Sequence, residues 1–400
     1  MGKTYKKLSE LGNIVTGKTP STQNSELWGG NIPFITPTDI EGYDTYYQET
    51  TERTVSDYGA LKQHKTLLPP NSVCITCIGS TIGKPCITKV KSISNQQINS
   101  IIPNNENDFR YIYYLIREGL PYFQLIGGGS GSGTPIISKN KFARFKFPVE
   151  TDIHLQCKIA SILSAYDNLI ENNSKRIHLL EQMAENLYKK WFSYHRIKNL
   201  SDGEIKLSKI IPSIHRGVSY SSEEIECNYG VDLINLKNIQ SFGGFRLDGT
   251  KKYNGKYKKA QIVCEGDLIM GVTDMTQDRR TVGSVALIPN TNNISVISAD
   301  LIKLESEIDN AYLYAMFRWG NVSKYISQFA NGANVLHLKP QVFKNIKILL
   351  PPKSLIDQYS SIVKPMFVAI NKLNSENIVL ARQRDLLLPR LMSGKLKVTE

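Results

Sequence analysis

Apolar residues follow two different periods along the chain. In residues 1–150 and 200–352, short apolar runs such as Val73–Ile75 and Leu268–Met270 are bounded by turn residues, which predicts short buried strands. In the stretches that follow, apolar residues recur every three or four positions, which predicts helices. The change of period divides each half of the chain into a globular part and a helix.

The first helical stretch contains no Pro or Gly from Val149 to Asp202. Its seam positions alternate at spacings of four and three residues and are Ile159, Leu163, Tyr166, Ile170, Asn173, Ile177, Leu180, Ala184, Leu187 and Trp191. Such a seam is typical of a coiled coil, and Asn173 is its only polar member. We expect one helix from about Thr151 to His195.

The second helical stretch repeats this spacing after Pro351 and Pro352. Its seam positions are Ile356, Tyr359, Val363, Met366, Ile370, Leu373, Asn377, Leu380, Arg384 and Leu387. Pro365 predicts a kink or a break, whereas Pro389 and Gly394 predict the end of the helix.

Each of these helices carries one seam, so we expect the two helices to pack on each other; the alternative is two helices that are buried separately. Because the halves repeat, the pair is expected to be antiparallel about a pseudo-twofold axis, with Asn173 and Asn377 near that axis. The residues expected to pair the helices are Leu163, Ile170, Asn173, Ile177, Leu180, Leu187, Ile370, Leu373, Asn377 and Leu380.

The globular parts share a series of segments in the same order. The matched segments are Phe34–Ile40 with Leu233–Ile239, Val73–Ile87 with Leu268–Leu287, and Ile112–Leu115 with Leu313–Met316. Each part then has a loop of small residues and a Lys-rich strand that runs into proline. Several matches in one order indicate a duplication.

These patterns predict an α+β protein with two globular α/β domains in tandem repeat, residues 1–150 and 200–352. Two long antiparallel coiled-coil helices, in residues 151–199 and 353–400, are expected to separate them with pseudo-twofold symmetry.

The formal net charge of +13 favours a polyanionic partner such as a nucleic acid, double-stranded DNA among them; the alternative is a soluble protein that happens to be basic. No run approaches 18 consecutive apolar residues, so we expect no membrane partner. Apart from Cys74, Cys77 and Cys86, the cysteines lie far apart, and they stand mostly in apolar stretches, which fits a reducing, cytoplasmic location.

Basic, amide and hydroxyl side chains in predicted loops are candidates for DNA contact. Lysines neutralise phosphates, whereas Arg, Gln and Thr hydrogen-bond the edges of bases. The candidate DNA-binding residues are Tyr43, Tyr46, Arg53, Lys65, Ser80, Lys84, Gln96, Gln97, Arg246, Lys251, Lys252, Lys256, Thr273, Gln277, Arg279 and Arg280. Among the basic residues around Arg246–Lys259, only Asp248 is expected to oppose the positive charge.

Three catalytic or metal-binding alternatives have weak support. Gly12–Thr19 fits the P-loop pattern, but neither a buried strand before it nor a helix after it is predicted. Cys74 and Cys77 lie three apart on a strand, so their side chains would diverge and are read as buried apolar residues. No nucleophile–base pairing is visible among the histidines, and we expect no catalytic site, metal or cofactor.

Both helical stretches resemble a known family over long segments. Lys158–Asp167 and Glu171–Phe192 resemble the central conserved region of type I restriction–modification specificity subunits, and Asn371–Leu380 and Arg384–Leu396 resemble their C-terminal conserved region. The globular parts match this family mainly in framework, including Ser94–Gln97.

The resemblance implies a non-catalytic subunit with two target-recognition domains, each reading one half of a bipartite DNA target while the helices set the spacer. It also implies docking of two modification subunits, which are adenine methyltransferases, and the joining of restriction subunits in some systems. The alternatives are the specificity module of a related methylation-only system and, on the P-loop pattern alone, an NTPase.

Overall fold

The computed structural model describes residues 3–42, 45–127, 135–201, 203–225, 228–291 and 293–398. The chain divides into two compact units, the first made of residues 1–171 and 379–400 and the second of residues 172–378. Each unit contains one globular part together with a segment of each long helical stretch.

The first unit has three sheets. A two-stranded antiparallel sheet pairs Lys3–Lys7 with Lys146–Glu150. The largest sheet has the strand order Gly12–Thr16, Ile98–Pro103, Val73–Thr76, Pro85–Thr88 and Tyr47–Gln48. The third has the order Thr54–Val55, Trp28–Ile35, Ser92–Ser94 and Leu67–Leu68. The helices of its globular part are Leu8–Leu11, Asp57–Lys62, Phe109–Glu118, Leu120–Gly127 and Lys139–Ala143, with 3₁₀ turns at Ser25–Leu27, His64–Thr66 and Gly79–Thr81.

The second unit repeats these sheets. The two-stranded sheet pairs Glu204–Lys206 with Lys347–Leu349. One four-stranded sheet has the order Ser213–Arg216, Leu301–Glu305, Leu268–Gly271 and Val285–Leu287. The other has the order Lys251–Tyr253, Val231–Ile234, Ser295–Ile297 and Ile262–Val263. An additional pair joins Thr273–Asp274 to Leu336–His337. The helices of its globular part are Tyr194–Leu200, Leu207–Ile210, Asn310–Trp319 and Val322–Ser327, with 3₁₀ turns at Leu236–Asn238, Leu247–Gly249, Lys259–Gln261 and Pro340–Lys344.

The predicted duplication is confirmed by the strand pairing. The sheet that contains Trp28–Ile35 in the first unit and the sheet that contains Val231–Ile234 in the second have the same arrangement. Each has a parallel pair at its centre, Trp28–Ile35 with Ser92–Ser94 and Val231–Ile234 with Ser295–Ile297, and antiparallel strands outside it. The same mixed sheet in both units supports the tandem repeat that the sequence predicts.

The two long helices span Ile153–Trp191 and Lys353–Ser393. In the second unit, Tyr359 donates its hydroxyl to the carbonyl of Ala184 at 3.2 Å, and Asn173 donates to Glu376 at 3.5 Å. Lower residue numbers in the first helix thus contact higher numbers in the second, so the pairing is antiparallel, as predicted. In the first unit, Ile159 and Leu163 share a core with Leu388 and Leu391, which gives the same direction.

The second long helix is longer and more continuous than the proline pattern predicts. It passes through both Pro365 and Pro389 and ends at Ser393. The helix is therefore not broken at Pro365, and the predicted end falls at Gly394 and not at Pro389. Each proline removes one helical hydrogen bond. Packing of buried neighbours, Val363 before Pro365 and Leu388 before Pro389, stabilises the helix at these positions. Gly394 has φ 77°, the left-handed conformation that commonly closes a helix.

A short helix in each unit connects the sheets to the long helices. These are Phe109–Glu118, capped by Asp108, and Asn310–Trp319, capped by Asp309. The middle of each short helix, Tyr111–Ile116 and Ala311–Phe317, is buried, because one face lies on a sheet and the other on the long helices. The core of each unit is therefore continuous from the sheet to the helix pair.

Candidate nucleic-acid interface

A polar loop in the second unit, residues 273–282, is built around one carboxylate. Asp274 is buried and accepts hydrogen bonds from the backbone of Thr276, Thr281 and Val282 and from the Thr276 hydroxyl. Burial raises the pKa of Asp274, but these bonds outweigh it and lower the pKa to about 2. A single ionised side chain thus fixes both ends of the loop and leaves its middle exposed. We call residues 273–282 the recognition loop.

Three of the predicted DNA-binding residues lie together on the recognition loop. Gln277 donates to the carbonyl of Ala333 at 3.0 Å, and Arg279 donates to the carbonyl of Ser327 at 3.2 Å. Arg280 is exposed and pairs with the neighbouring Asp278 at 2.7 Å. The side chains of Gln277 and Arg280 face solvent, so both remain accessible to a macromolecular ligand.

Thr273 does not belong with them, and its prediction as a DNA-binding residue is corrected. Its side chain is buried, and its hydroxyl donates to Asp300 at 3.0 Å. The residue opens the loop on a short strand that pairs with Leu336–His337. A hydroxyl that already has an internal partner in the core serves the fold rather than DNA.

The basic segment of the second unit is more fully neutralised than its sequence indicated. Arg246 pairs with Asp248 at 2.6 Å, as expected, but Lys252 also pairs with Asp232 at 2.7 Å. Asp232 lies 20 positions away and reaches Lys252 because their strands are adjacent. The other two candidates are Lys251, whose ammonium lies 6.0 Å from the ring centre of Tyr220, and Lys256, which is exposed.

A cavity of about 430 Å³ lies beside the recognition loop and brings in residues that sequence reasoning missed. Phe242, Asn321 and Lys324 line it together with Arg279. The repeat could have pointed to Phe242. When the match of Phe34–Ile40 with Leu233–Ile239 is extended without a gap, Phe242 aligns with Tyr43, which was a predicted DNA-binding residue. No comparable signal marked Asn321 or Lys324, which follow the short helix.

In the first unit, several predicted residues are exposed on separate loops. Gln96 accepts a hydrogen bond from Thr19 at 2.7 Å, and the guanidinium of Arg53 lies 3.7 Å from the ring centre of Trp28. Lys84 donates to the carbonyl of Ile40 at 3.0 Å. The remaining candidates with solvent-accessible side chains are Lys65, Ser80 and Gln97. Tyr43 lies outside the described residues.

The prediction that Tyr46 contacts DNA is also corrected. Its side chain is 6% exposed, and its ring lies edge-on to Tyr113 at 5.1 Å. Burial raises the pKa of its hydroxyl far above the ordinary range. Tyr46 is therefore part of the core beneath the short helix and is inaccessible to DNA.

The P-loop pattern has a structural explanation that does not involve phosphate. Gly12–Thr16 is an antiparallel strand, and a 3₁₀ turn at Ser25–Leu27 is the next helical element. A Cβ on Gly17 would lie 2.2 Å from the carbonyl oxygens of Ser94 and Asn95. Gly217 has the same crowding against Ile297 and Ser298, so the glycine is a requirement of the repeated fold.

The cysteine pair is likewise structural. Cys74 and Cys77 are buried, and Cys74 lies opposite Cys86 on the adjacent strand. Within the described ranges, no three His, Cys, Asp or Glu side chains are grouped so as to hold a metal ion. None of the described helices is long and apolar enough to cross a membrane.

The family model for the type I restriction modification DNA specificity domain matches residues 2–182 and again residues 203–378. The chain belongs to this family. The two matches coincide with the two copies of the sheet repeat, so each unit carries one DNA specificity domain. The family assigns the chain to the specificity component of a restriction–modification system and not to a catalytic one.

Individual relatives agree with this assignment. The chain is 27% identical to the type I restriction enzyme MjaIX specificity subunit of Methanocaldococcus jannaschii, over 99% of this chain and 94% of that protein. It is 34% identical to the HindI specificity subunit of Haemophilus influenzae over 43% of this chain and 38% of that protein. The crystal structure of an S subunit from M. genitalium superposes with a TM-score of 0.63 at 14% identity, covering 98% of this chain and 96% of that one, which shows a shared fold.

Proposed function

We propose that this specificity subunit reads a bipartite DNA target, one half with each unit, and that the long helices set the spacer between the halves. The observation that carries the proposal is the pair of units with the same sheets but different loops. A recognition loop fixed by Asp274 and exposing Gln277 and Arg280 occurs only in the second unit's sequence. Two copies of one framework with unlike loops suit two unlike half-sites.

The chemistry of the loops supports base reading. Arginine donates two hydrogen bonds to guanine, and glutamine donates and accepts with adenine, in the major groove. Lysines such as Lys65 and Lys256 would hold the phosphate backbone, in line with the net charge of +13.

The helices suit a spacer role because both are long and pair directly. An ion pair within the first unit and a hydrogen bond of Tyr359 within the second fix the pairing in each unit. A helix extends about 1.5 Å per residue, so its length converts into a defined number of base pairs.

The subunit would also dock two modification subunits, which are adenine methyltransferases. Segments such as Lys158–Asp167 and Asn371–Leu380 carry the resemblance to the family. The first long helix also exposes three apolar residues, Ile162, Leu169 and Leu179. Apolar side chains exposed along one helix are suited to a protein partner.

Methylation-sensitive sequencing of a host with and without this gene tests the proposal. We expect methylated adenines in a motif of two specified parts separated by an unspecified gap of constant length. A continuous motif, or no change in methylation, would refute bipartite reading. A bipartite motif without restriction of unmodified DNA would favour the related methylation-only system.

A further inference from the structure

The cavity beside the recognition loop has an unusual backbone. Four non-glycine residues have a left-handed backbone in the part of the chain that the structure describes, and three of them line this cavity. They are Phe242 with φ 65°, Arg279 with φ 55° and Asn321 with φ 61°. The three come from separate segments of the chain. Left-handed backbone is unfavourable for side chains larger than glycine and is concentrated at functional sites.

The cavity carries positive charge that the fold does not neutralise. Its carboxylate, Asp278, pairs with Arg280, and the lining Arg318 pairs with Glu181 at 3.0 Å. Arg279 is bonded only to a neutral carbonyl, and Lys324 has no acidic partner among the described residues.

A hydroxyl on the cavity wall is also unsatisfied. The Ser323 oxygen is shielded from solvent and has no hydrogen-bond partner within the described ranges. Buried hydroxyls normally have one. Two cations and a hydroxyl donor around one cavity suit an anion with several oxygens, such as a phosphodiester.

Phe242 stands at the rim of this cavity. Its side chain is 65% exposed, although a phenyl ring is normally buried. Its backbone is fixed by two hydrogen bonds. The Phe242 N–H donates to the backbone carbonyl of Arg280 at 2.8 Å, and the Gly243 N–H donates to the backbone carbonyl of Gln240 at 3.0 Å. A rigid turn therefore presents an aromatic ring to solvent next to a cationic cavity.

We propose that Phe242 inserts beside a base step of the DNA, while Arg279, Lys324 and Ser323 hold the adjacent phosphodiester in the cavity. Apolar wedges of this kind unstack a base step and bend the duplex. The second unit would then recognise its half-site partly through the ease with which one step unstacks. This inference rests on the proposed function and adds a distortion of the DNA to it.

The test uses the chain in complex with its modification subunits and a duplex carrying the motif found by methylation sequencing. 2-Aminopurine replaces one base at a time across each half-site, except the methylated adenine, which an adenine methyltransferase itself flips out of the stack, and its fluorescence reports unstacking. We expect wild type to raise the fluorescence at one step in a single half-site. Phe242→Ala should abolish the rise and weaken binding about tenfold or more, as loss of base stacking does.

Two further variants separate the roles of the residues. Lys324→Gln should keep the fluorescence rise but reduce the slope of log affinity against log salt by about one. Phe242→Gly relieves the left-handed backbone, so its melting temperature should equal or exceed that of wild type while the rise is lost. Tyr229→Ala removes an equally exposed ring of the same unit outside the cavity, and should change neither readout.

The outcomes distinguish the two proposals. If wild type binds the motif specifically but no position brightens, or if Phe242→Ala keeps both the rise and the affinity, the wedge is refuted and the proposed function stands. If wild type shows no preference for the motif over a scrambled duplex, both proposals are refuted.

Discussion

Arg384 and Asp167 form a buried ion pair between the two long helices within the first unit. Their side chains are 1% and 2% exposed. Tyr114 of the short helix donates its hydroxyl to the same carboxylate. Arg384 also donates to Asp385 at 2.9 Å, and Asp385 accepts from Arg117 of the short helix at 3.1 Å. This polar network therefore joins the helix pair to the globular part of the first unit.

The second unit has different residues at the two equivalent positions. In the register that aligns Asn173 with Asn377, Leu180 matches Arg384 and Asn371 matches Asp167. We therefore predict that Arg384→Leu, which leaves Asp167 buried without its cation, destabilises the first unit by about 3–5 kcal/mol. Combining it with Asp167→Asn should recover most of the loss, because the pair then has the residues of the second unit.

Hydrogen exchange of the short helix Phe109–Glu118 measures both effects, since that helix packs on the network. A single variant as stable as wild type, or a double variant no better than the single, would show that the pair is not coupled in this way.

Asp274 is predicted to control the order of the recognition loop. Asp274→Asn removes the charge from a buried acceptor of several hydrogen bonds and should cost about 1–3 kcal/mol of local stability. Faster amide exchange at Thr276, Thr281 and Val282 would report it. The matched control is Asp278→Asn, an exposed residue of the same loop, for which no change in the exchange of those amides is expected.

The same carboxylate makes a pH prediction. The pKa of Asp274 is about 2 in the folded state, below its ordinary value of 3.8. Its stabilising effect is therefore complete above about pH 4 and is lost as the pH falls toward 2, where the folded carboxylate becomes protonated. The protection factor of the Thr281 amide, which is its exchange rate relative to the intrinsic rate at the same pH, should fall over this range in wild type. An equal fall in Asp274→Asn would exclude this carboxylate as the cause.

Much of the fold was predictable because it depends on periodicity and repetition. The seam spacing indicated both long helices, and the matched segments indicated two copies of one unit. The details that failed depend on distant contacts. Pro389 stays within a helix because buried neighbours hold it, and Tyr46 is buried because the short helix covers it. Neither contact is visible in local sequence.

The candidate interface was predictable only in part for the same reason. The grouping of Gln277, Arg279 and Arg280 was predictable because they lie in one loop. Lys324 was missed because it reaches the cavity from a different helix, and the neutralisation of Lys252 was missed because Asp232 lies on a neighbouring strand. The asparagines at the predicted axis also show this limit. Each bonds the neighbour of the other, Asn173 to Glu376 and Asn377 to Ser174.

The seam residue Leu180 is predicted to matter for both stability and assembly. Leu180 is partly buried and packs against the core of the second unit, so Leu180→Gln places an amide among apolar side chains and should cost about 2 kcal/mol. Leu187→Gln should act in the same way. We expect both variants to lose the modification subunits on co-purification, because the helix surface proposed to dock them is disturbed.

Leu179→Gln is the matched control for the stability part of this prediction only, because Leu179 is itself one of the residues proposed to dock the modification subunits. Leu179 is adjacent in sequence but 56% exposed, so its replacement should leave thermal stability unchanged. Equal destabilisation by Leu179→Gln and Leu180→Gln would contradict the seam assignment.

Shortening both helices should shorten the spacer. Deleting residues 170–176 together with 374–380 removes one heptad from each helix, including the seam asparagines Asn173 and Asn377. At 1.5 Å per residue the helices shorten by about 10 Å, which corresponds to about three base pairs. Methylated sites should then have a gap shorter by about that number with both halves retained. An unchanged gap in an active complex would refute the spacer role.

The claim that the units read separate half-sites is tested most directly by methylation-sensitive sequencing of a host that carries Arg280→Ala. Gln96→Ala in the first unit is the matched variant. We predict that Arg280→Ala relaxes one half of the motif while the other half and the gap stay fixed, and that Gln96→Ala affects only the opposite half. Relaxation of both halves by either single variant would contradict separate readers.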